Sequence, residues 1–230
     1  MRTVKVEPPA ELGTADGLSY ALFLPAAEPA GTVVVFHGAG SCKESHFDFA
    51  RACREDGLAA LCFDMRGHGE SEGALNGRMV ADAVAMADLA RERTGVDAVA
   101  LRGSSMGGYL ALVAAADVRA RAVVAICAGT SAGMVRGVRE ERFDVRADAE
   151  PLIALLESRD EVRAAEALDV PLLLLHAEGD EVVPVEHSRT LHVAATRSRL
   201  VAVPGGHHRS VQHDPELQAL SLRFLRGALT

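Results

Sequence analysis

The chain has few aromatic residues and no tryptophan, with only two tyrosines and seven phenylalanines among 230 residues. A binding pocket built on aromatic stacking is therefore not expected. Apolar runs are also short, and none approaches the roughly 20 residues that a membrane-spanning helix needs. Residues 1–5 alternate polar and apolar side chains without a long apolar stretch. No signal peptide and no membrane insertion are therefore expected.

Positive charge is in the minority, with 24 lysines and arginines against 32 acidic residues and a formal net charge of −8. This balance argues against nucleic acid or an anionic membrane as the main partner. The four cysteines form no C-x-x-C pair, which is typical of reduced thiols in a cytoplasmic protein. The nine histidines form neither a helical H-x-x-x-H nor a Cys/His cluster, so no metal and no cofactor are predicted.

Short apolar segments alternate with segments of helical periodicity along most of the chain. Several of the short segments are apolar on both faces, which suits a parallel sheet covered by helices on both sides. The pattern predicts an α/β fold with a doubly wound, mostly parallel sheet. Strands are predicted at residues 18–24, 32–36, 58–63, 98–101, 122–127, 172–175 and 200–203, and helices at 47–56, 78–93, 106–116, 186–195 and 215–225.

Residues 129–170 interrupt this alternation between two predicted strands. The segment is charged and has no clear strand, and its periodicity predicts helices near 150–157 and 160–168. We therefore expect residues 1–230 to form a single domain in which 129–170, here called the cap segment, lies over the site as a small insertion. Its apolar side chains are candidate pocket walls: Met134, Val138, Phe143, Leu152, Ile153 and Leu156.

The motif Gly-Ser-Ser-Met-Gly at residues 103–107 lies between a predicted strand and a predicted helix. Glycines two residues before and two after Ser105 allow a sharp, strained turn that holds the serine hydroxyl out of the backbone. The helix that follows directs free N–H groups and the positive end of its dipole at the group that Ser105 would attack. The motif therefore predicts a nucleophile elbow.

A serine nucleophile needs a general base and a carboxylate that orients the base. Asp180 follows the strand at 172–175 and is the candidate carboxylate, although acids in glycine-rich turns are often only solvated. His207 and His208 follow the last predicted strand directly after Gly205-Gly206, and both are candidates for the base. The carboxyl ends of parallel strands share one edge of a sheet, so these residues are expected to meet Ser105 there.

The developing oxyanion requires two backbone N–H donors. Met106 directly follows the nucleophile and supplies the first at the start of the helix. The second is expected from the loop His37-Gly38-Ala39-Gly40 after the strand at 32–36, with Ala39 the first candidate and Gly40 the next.

Five motifs in this order resemble those of the α/β-hydrolase superfamily over nearly the full length of the chain. They are the His-Gly-Ala-Gly loop at 37–40, Asp-Met-Arg-Gly-His-Gly-Glu-Ser at 64–71, the serine motif, the segment at 176–184 with Asp180, and Gly-Gly-His-His at 205–208. Ser105, Asp180 and His208 follow the chain order of that superfamily. The resemblance favours His208 as the base, because the superfamily usually has a glycine three residues before it. Ser104 departs from the pattern, since relatives often have histidine there.

The resemblance implies a small serine carboxylesterase, similar to the dienelactone-hydrolase group, that acts on a small-molecule ester or thioester through Ser105, His208 and Asp180. Ala39 and Met106 would form the oxyanion hole. Alternatives are a peptidase or amidase of the same fold and a ligand receptor that retains the triad but turns over slowly. Either a monomer or a homodimer is compatible with the sequence. The motif at 64–71 is interpreted as a structural turn stapled by hydrogen bonds of Arg66 and His68.

Overall fold

The computed structural model describes residues 7–230, so the N-terminal residues behind the expectation of no signal peptide lie outside it. Within the described residues, eight strands form one sheet. The strands are Glu11–Ala15 (β1), Leu18–Phe23 (β2), Thr32–Phe36 (β3), Ala59–Phe63 (β4), Val99–Ser104 (β5), Val123–Ile126 (β6), Leu172–Ala177 (β7) and Ser198–Val203 (β8). The helices are Phe47–Glu55 (α1), Met79–Thr94 (α2), Met106–Val113 (α3), Ala115–Val118 (α4), Ser131–Arg139 (α5), Ala149–Ser158 (α6), Glu161–Glu166 (α7), Val185–Ala194 (α8), Ser210–His213 (α9) and Pro215–Leu229 (α10), with a 3-10 turn at Lys43–His46.

The strand order is β1-β2-β4-β3-β5-β6-β7-β8. Only the β1–β2 and β2–β4 pairs are antiparallel, and the other strands run parallel to one another. Strands β3, β5 and β7 are buried along their whole length, as expected when helices cover both faces. Alternate side chains enter two separate cores, with Val34 in one and Val33 and Val35 in the other. The predicted α/β-hydrolase fold is confirmed.

The parallel strands bring four loops to one edge of the sheet. The loop 37–40 follows β3, Ser105 follows β5, Asp180 lies three residues after β7, and His208 lies five residues after β8. Because these strands are parallel, their carboxyl ends point the same way, and loops that are distant in sequence become neighbours.

Several local features differ from the sequence prediction, among them the short helix α9 and the 3-10 turn at Lys43–His46, neither of which was predicted. The strand β1 was not predicted, and its residues alternate between half-buried and exposed because it pairs antiparallel with β2 at the sheet edge. The predicted helix at 106–116 ends at Val113, and the short helix α4 follows after Ala114. The cap segment contains α6 and α7 close to their predicted positions and also α5, which was not predicted. The division of the chain into one domain with a cap stays a prediction.

The loop after β4 is held by buried charged groups. Asp64 is fully buried and accepts hydrogen bonds from the Lys43 ammonium (2.9 Å), the Lys43 backbone N–H (2.7 Å) and the Glu70 backbone N–H (3.0 Å). Arg66 donates to Asp82, and the ring of His68 donates through Nδ1 to the Arg66 carbonyl oxygen. These bonds agree with the interpretation of 64–71 as a structural turn.

Candidate active site

Ser105 lies in a strained turn between β5 and α3, with φ 54° and ψ −119°. A positive φ at a residue other than glycine costs about 1–3 kcal/mol and is often retained at functional sites. The neighbouring glycines make the turn possible. A Cβ at Gly103 would overlap the carbonyl oxygen of Gly107, and a Cβ at Gly107 would overlap that of Phe36. The close packing of β3, β5 and α3 therefore requires glycine at both positions.

One line of hydrogen bonds joins Ser105, His208 and Asp180. The distance from His208 Nε2 to Ser105 Oγ is 2.9 Å, and that from His208 Nδ1 to Asp180 Oδ2 is 2.7 Å. An ionised carboxylate only accepts hydrogen bonds, so Nδ1–H donates to Asp180. In the neutral ring Nε2 then lacks a hydrogen and accepts the bond from the Ser105 hydroxyl. This arrangement allows His208 to take a proton from Ser105.

The Asp180 carboxylate is buried and held from several sides. Its Oδ1 accepts the backbone N–H groups of Val182 and Val183, each at 2.8 Å. Burial by itself raises the pKa of Asp180, but the hydrogen bonds from Val183, His208 and Val182 outweigh it, so that the net pKa lies below the usual value. Asp180 therefore stays ionised at neutral pH.

A second histidine contacts the same carboxylate. His176 is fully buried at the end of β7, and its Nε2 lies 3.2 Å from Asp180 Oδ2 and 2.9 Å from the Val183 carbonyl oxygen. Both neighbours are acceptors, so Nε2 carries the hydrogen, while Nδ1 accepts from the Ser188 hydroxyl at 2.7 Å. No role for His176 was predicted from the sequence. Its position at the end of a buried strand, four residues before Asp180, was the one feature of the sequence that could have indicated this contact.

The structure distinguishes the two candidate histidines by their positions. His207 is exposed, and its ring Nδ1 accepts a hydrogen bond from the Arg209 backbone N–H at 3.3 Å. His208 is only partly exposed and contacts Ser105. Gly205 and Gly206 both have positive φ, 68° and 75°. This bend between β8 and His208 is one that glycine adopts easily.

The loop 37–40 packs against the serine and leaves the predicted oxyanion donors free. A Cβ at Gly38 would lie 3.3 Å from the Cβ of Ser105. His37 fixes the loop because its Nε2 accepts the Met65 backbone N–H (3.0 Å) and its Nδ1–H donates to the Gly38 carbonyl oxygen (2.8 Å). Burial lowers the pKa of His37 to about 4, so this neutral form persists. Neither the Ala39 nor the Met106 backbone N–H donates a hydrogen bond to any atom of residues 7–230.

Two cavities of different character lie at this end of the sheet and share Ala39 in their linings, and Ser105 lines only the polar one. The apolar cavity measures about 10 Å³, enough for about one water molecule. Its lining residues are Ala39, Leu75, Met79, Met106, Met134, Val138, Phe143, Val145, Leu152 and Leu156. Of the wall residues suggested in the cap segment, all except Ile153 are present. The polar cavity measures about 140 Å³ and is lined by Gly38, Ala39, Ser41, Ser45, Ser104, Ser105, His208, Arg209, Gln212 and His213.

Burial makes Cys53, Cys62 and Cys127 poor nucleophiles. All four are free thiols, and burial raises the pKa of Cys62 and of Cys127 to about 12. Cys127 lies near His176 and Asp180, with possible ligand atoms within 4.8 Å of one another. A protonated thiol and an imidazole whose two nitrogens are already hydrogen-bonded are a poor donor set for a metal ion.

The fold and this arrangement of side chains define an α/β-hydrolase. Residues 27–146, just over half of the chain, match the family model described as serine aminopeptidase, S33, and residues 155–228 match one described as TAP-like protein. The chain therefore belongs to the α/β-hydrolase superfamily that these models represent. Among residues 7–230, no helix is both long enough and apolar enough to span a bilayer.

Two of the relatives in sequence are described as uncharacterized proteins. The chain is 28% identical to the uncharacterized protein YfhR of Escherichia coli O157:H7 over 219 residues, which cover 89% of this chain and 73% of that protein. It is 29% identical to the uncharacterized protein Rv2307c of Mycobacterium tuberculosis over 189 residues, which cover 80% of this chain and 64% of that protein. The chain thus spans about two thirds to three quarters of the length of these relatives.

Solved structures that include a lipase and another hydrolase share the fold. Est1E from Butyrivibrio proteoclasticus with bound ferulic acid has a TM-score of 0.76 at 22% identity and covers 95% of this chain and 97% of that one. The monoacylglycerol lipase of Paleococcus ferrophilus has a TM-score of 0.74 at 21% identity, with 92% and 99% covered. The 2,6-dihydroxy-pseudo-oxynicotine hydrolase has a TM-score of 0.78 at 23% identity, with 97% and 69% covered. At these identities the likeness shows the fold.

Proposed function

We propose that this chain is a serine hydrolase that cleaves a carboxylic ester, or a thioester, of a small or flexible acyl group through Ser105, His208 and Asp180. The observation that carries the proposal is the continuous hydrogen-bonded line from the Ser105 hydroxyl through His208 to the buried Asp180 carboxylate. The esterases and lipases among its structural neighbours support ester chemistry.

In the first half-reaction, Ser105 Oγ attacks the ester carbonyl carbon while His208 Nε2 takes the hydroxyl proton. The free backbone N–H groups of Ala39 and Met106 stabilise the negative charge on the carbonyl oxygen by hydrogen bonds. Protonated His208 is stabilised by ionised Asp180 and gives its proton to the leaving oxygen or sulfur. Water then attacks the acyl-enzyme by the same steps, and the acid is released. No cofactor is needed for these steps.

The partner molecule, the oligomeric state and the cellular compartment are also part of the proposal. We expect a small-molecule ester as the partner and a monomer or homodimer as the working form. The four free thiols fit a reducing compartment, which favours the cytoplasm. Sedimentation of the purified protein would determine the oligomeric state.

The test compares matched serine and histidine variants on short-chain p-nitrophenyl esters. Ser105→Ala should lose nearly all turnover, whereas Ser158→Ala, at an exposed helix residue, should retain it. His208→Ala should likewise be inactive, and its neighbour His207→Ala should remain active. A fluorophosphonate probe should label Ser105. Labelling of another residue, or an active His208→Ala beside an inactive His207→Ala, would contradict the assignment.

Two alternatives give different outcomes in the same assay. A peptidase or amidase, which the description serine aminopeptidase of the matching family favours, would also cleave p-nitroanilides with a comparable kcat/KM. A receptor would release one equivalent of product and then nearly stop.

A further inference from the structure

The direction of proton transfer assigns the leaving group of the ester to the polar cavity beside Ser105. This step rests on the proposed function. His208 Nε2 receives the serine proton and must then deliver it to the leaving atom, so the leaving group has to lie on the side of His208. His208 and Ser105 both line the polar cavity, whereas the apolar cavity contains Ala39 and Met106 but neither of these two. The leaving group therefore occupies the polar cavity, and the acyl group lies on the other side of the scissile bond, away from His208 and next to the apolar residues of the cap segment.

The side chains of the polar cavity are rich in hydrogen-bond donors and include no carboxylate. Ser41, Ser45 and Ser104 contribute hydroxyls, Gln212 an amide and Arg209 a guanidinium. The Arg209 side chain forms no ion pair or hydrogen bond with any part of the chain between residues 7 and 230. A guanidinium without a protein acceptor at the mouth of a cavity attracts an anionic group.

The floor of the cavity contains a buried hydroxyl without a partner. Ser104 is 4% exposed, and its Oγ has no hydrogen-bond partner among the described residues. A buried hydroxyl left unpaired costs about 1–3 kcal/mol, and a ligand oxygen in the cavity would remove that cost.

A buried cation lies on the same face of the sheet. Arg102 is two residues from Ser104 on β5, so the two side chains point to one side. Its guanidinium is fully buried, stacks on Phe49 at 4.0 Å and donates to the Gln212 carbonyl oxygen at 3.2 Å. Within residues 7–230 no carboxylate forms an ion pair with Arg102. Burial lowers its pKa to about 10, so it remains charged at neutral pH.

The acidic side chains of Asp180 and Glu181, which lie near the site, do not line the polar cavity. Glu181 accepts a hydrogen bond from the His208 backbone N–H at 3.2 Å and does not line the cavity. Asp180 is enclosed by its own hydrogen bonds, as described above. The chain has a net charge of −8, so a cavity lined by Arg209, unpaired among the described residues, and by no acidic residue, with Arg102 buried nearby, is a local exception.

We propose that the polar cavity is a leaving-group subsite for an alcohol or thiol that carries a carboxylate or a similar anionic oxygen group, joined to a short apolar acyl group. Arg209 binds the anion, Ser104 donates to a leaving-group oxygen, and Arg102 keeps the floor positive and holds Gln212 in place.

The test uses four butyrate esters that differ only in one substituent of the phenol. The substituents at position 3 are carboxylate, its neutral isostere carboxamide, trimethylammoniomethyl and methyl. Each kcat/KM is divided by the rate constant for hydroxide hydrolysis of the same ester, which removes intrinsic reactivity. The carboxylate ester should be preferred about five- to tenfold over the carboxamide, which corresponds to roughly one charge-assisted hydrogen bond of modest strength. The trimethylammonium ester should be the poorest substrate.

Variants then assign the preference to particular residues. Arg209→Gln should remove most of the preference in corrected kcat/KM for the carboxylate ester over the carboxamide ester. Arg223→Gln, at an exposed arginine outside the cavity, should preserve that preference. Ser104→Ala should lower the corrected kcat/KM of the carboxamide ester relative to that of the methyl ester about threefold or more, because the Ser104 hydroxyl no longer donates to the carboxamide oxygen.

The outcomes separate the subsite from the proposed function. If all four esters are cleaved but the carboxamide or the cationic ester is equal or better, the subsite inference is wrong and the esterase assignment stands. The same conclusion follows if Arg209→Gln and Arg223→Gln change the ratio equally. If none of the esters is cleaved and the fluorophosphonate probe does not label Ser105, both proposals are wrong.

Discussion

Replacement of Lys43 by methionine tests how far burial, rather than distance, determines the strength of an ion pair in this fold. Lys43 is 2% exposed, and its ammonium lies 2.9 Å from the fully buried Asp64 carboxylate. It also contacts Glu70 and Glu44, whose side chains are 76% and 52% exposed. Methionine retains most of the apolar stem and removes the charge. Asp64 would keep its two backbone N–H donors but would lose its buried cation.

The expected cost follows from that loss. Removal of one partner from a buried ion pair typically costs about 3–5 kcal/mol, because the other charge stays buried without compensation. The two remaining backbone N–H bonds to Asp64 favour the lower end, about 3 kcal/mol. For a chain of this size, each kcal/mol lowers Tm by about 2–4 °C, so Lys43→Met should lower Tm by roughly 6–12 °C.

The pH dependence of this difference provides a second check. Burial lowers the pKa of Lys43 and raises that of Asp64, but their mutual hydrogen bonds, with those of Glu70, outweigh burial, so that the net pKa of the lysine is raised and that of the aspartate is lowered. The contribution of the aspartate is present above its unfolded pKa of about 3.9 and is lost as pH falls through the folded value. The contribution of the lysine is present below about 10.4. In the variant the buried Asp64 carboxylate has lost its cation, which raises its pKa. The difference between wild type and variant should therefore be constant from about pH 7 to 9 and shrink at lower pH as Asp64 of the variant becomes protonated.

The assay is denaturant and thermal unfolding followed by circular dichroism. The matched control is Arg139→Met, because Arg139 and Glu157 are also 2.9 Å apart but are 60% and 55% exposed. This variant should cost less than about 1 kcal/mol. If the two variants lower the free energy of unfolding by the same amount, or if the effect of Lys43→Met varies strongly between about pH 7 and 9, burial does not determine the strength of this ion pair.

Two further predictions concern the turn and the carboxylate. Gly103→Ala should prevent stable folding or cost several kcal/mol, because the new Cβ would overlap the Gly107 carbonyl oxygen. Gly227→Ala, which adds a Cβ in open space within α10, should instead stabilise the protein by about 0.5–1 kcal/mol. Equal effects of the two variants on the free energy of unfolding would show that close packing does not require glycine at position 103. Asp180→Asn should lower kcat about 10³–10⁴-fold, because the amide no longer fixes the His208 tautomer or stabilises its cation. A variant with near wild-type kcat on p-nitrophenyl esters would remove Asp180 from the proposed mechanism.

The fold was predictable because its strands are short apolar runs with clear ends. Residues 32–36 form the predicted strand without change, and the buried strands at the centre of the sheet differ from their predicted bounds by a few residues. The edge strand β1 and the cap helix α5 were missed. Both lack a continuous apolar run, since β1 is half-exposed and α5 contains two glycines, Gly133 and Gly137, and two arginines, Arg136 and Arg139.

The site was predictable only in part. The position of each candidate after a predicted strand, together with the order of motifs, indicated that Ser105, Asp180 and a histidine would meet at one sheet edge. The structure brings these side chains together, and their catalytic role remains our proposal. The second contact to Asp180, from His176, was not predicted, because a histidine at the end of an apolar strand has the same local pattern whether it is structural or part of a site.

By itself, the sequence determined the α/β architecture, the strained serine turn and the edge of the sheet at which polar residues converge, because these depend on periodicity and on glycine spacing over a few residues. Only the tertiary structure decided that His208 rather than His207 contacts a serine 103 positions away. It also decided that Ser105 lines a polar cavity next to an apolar one, and that Arg102 is buried without an ion-pair partner among residues 7–230. Such features arise from packing between segments that are distant along the chain, and no local pattern of residues encodes that packing.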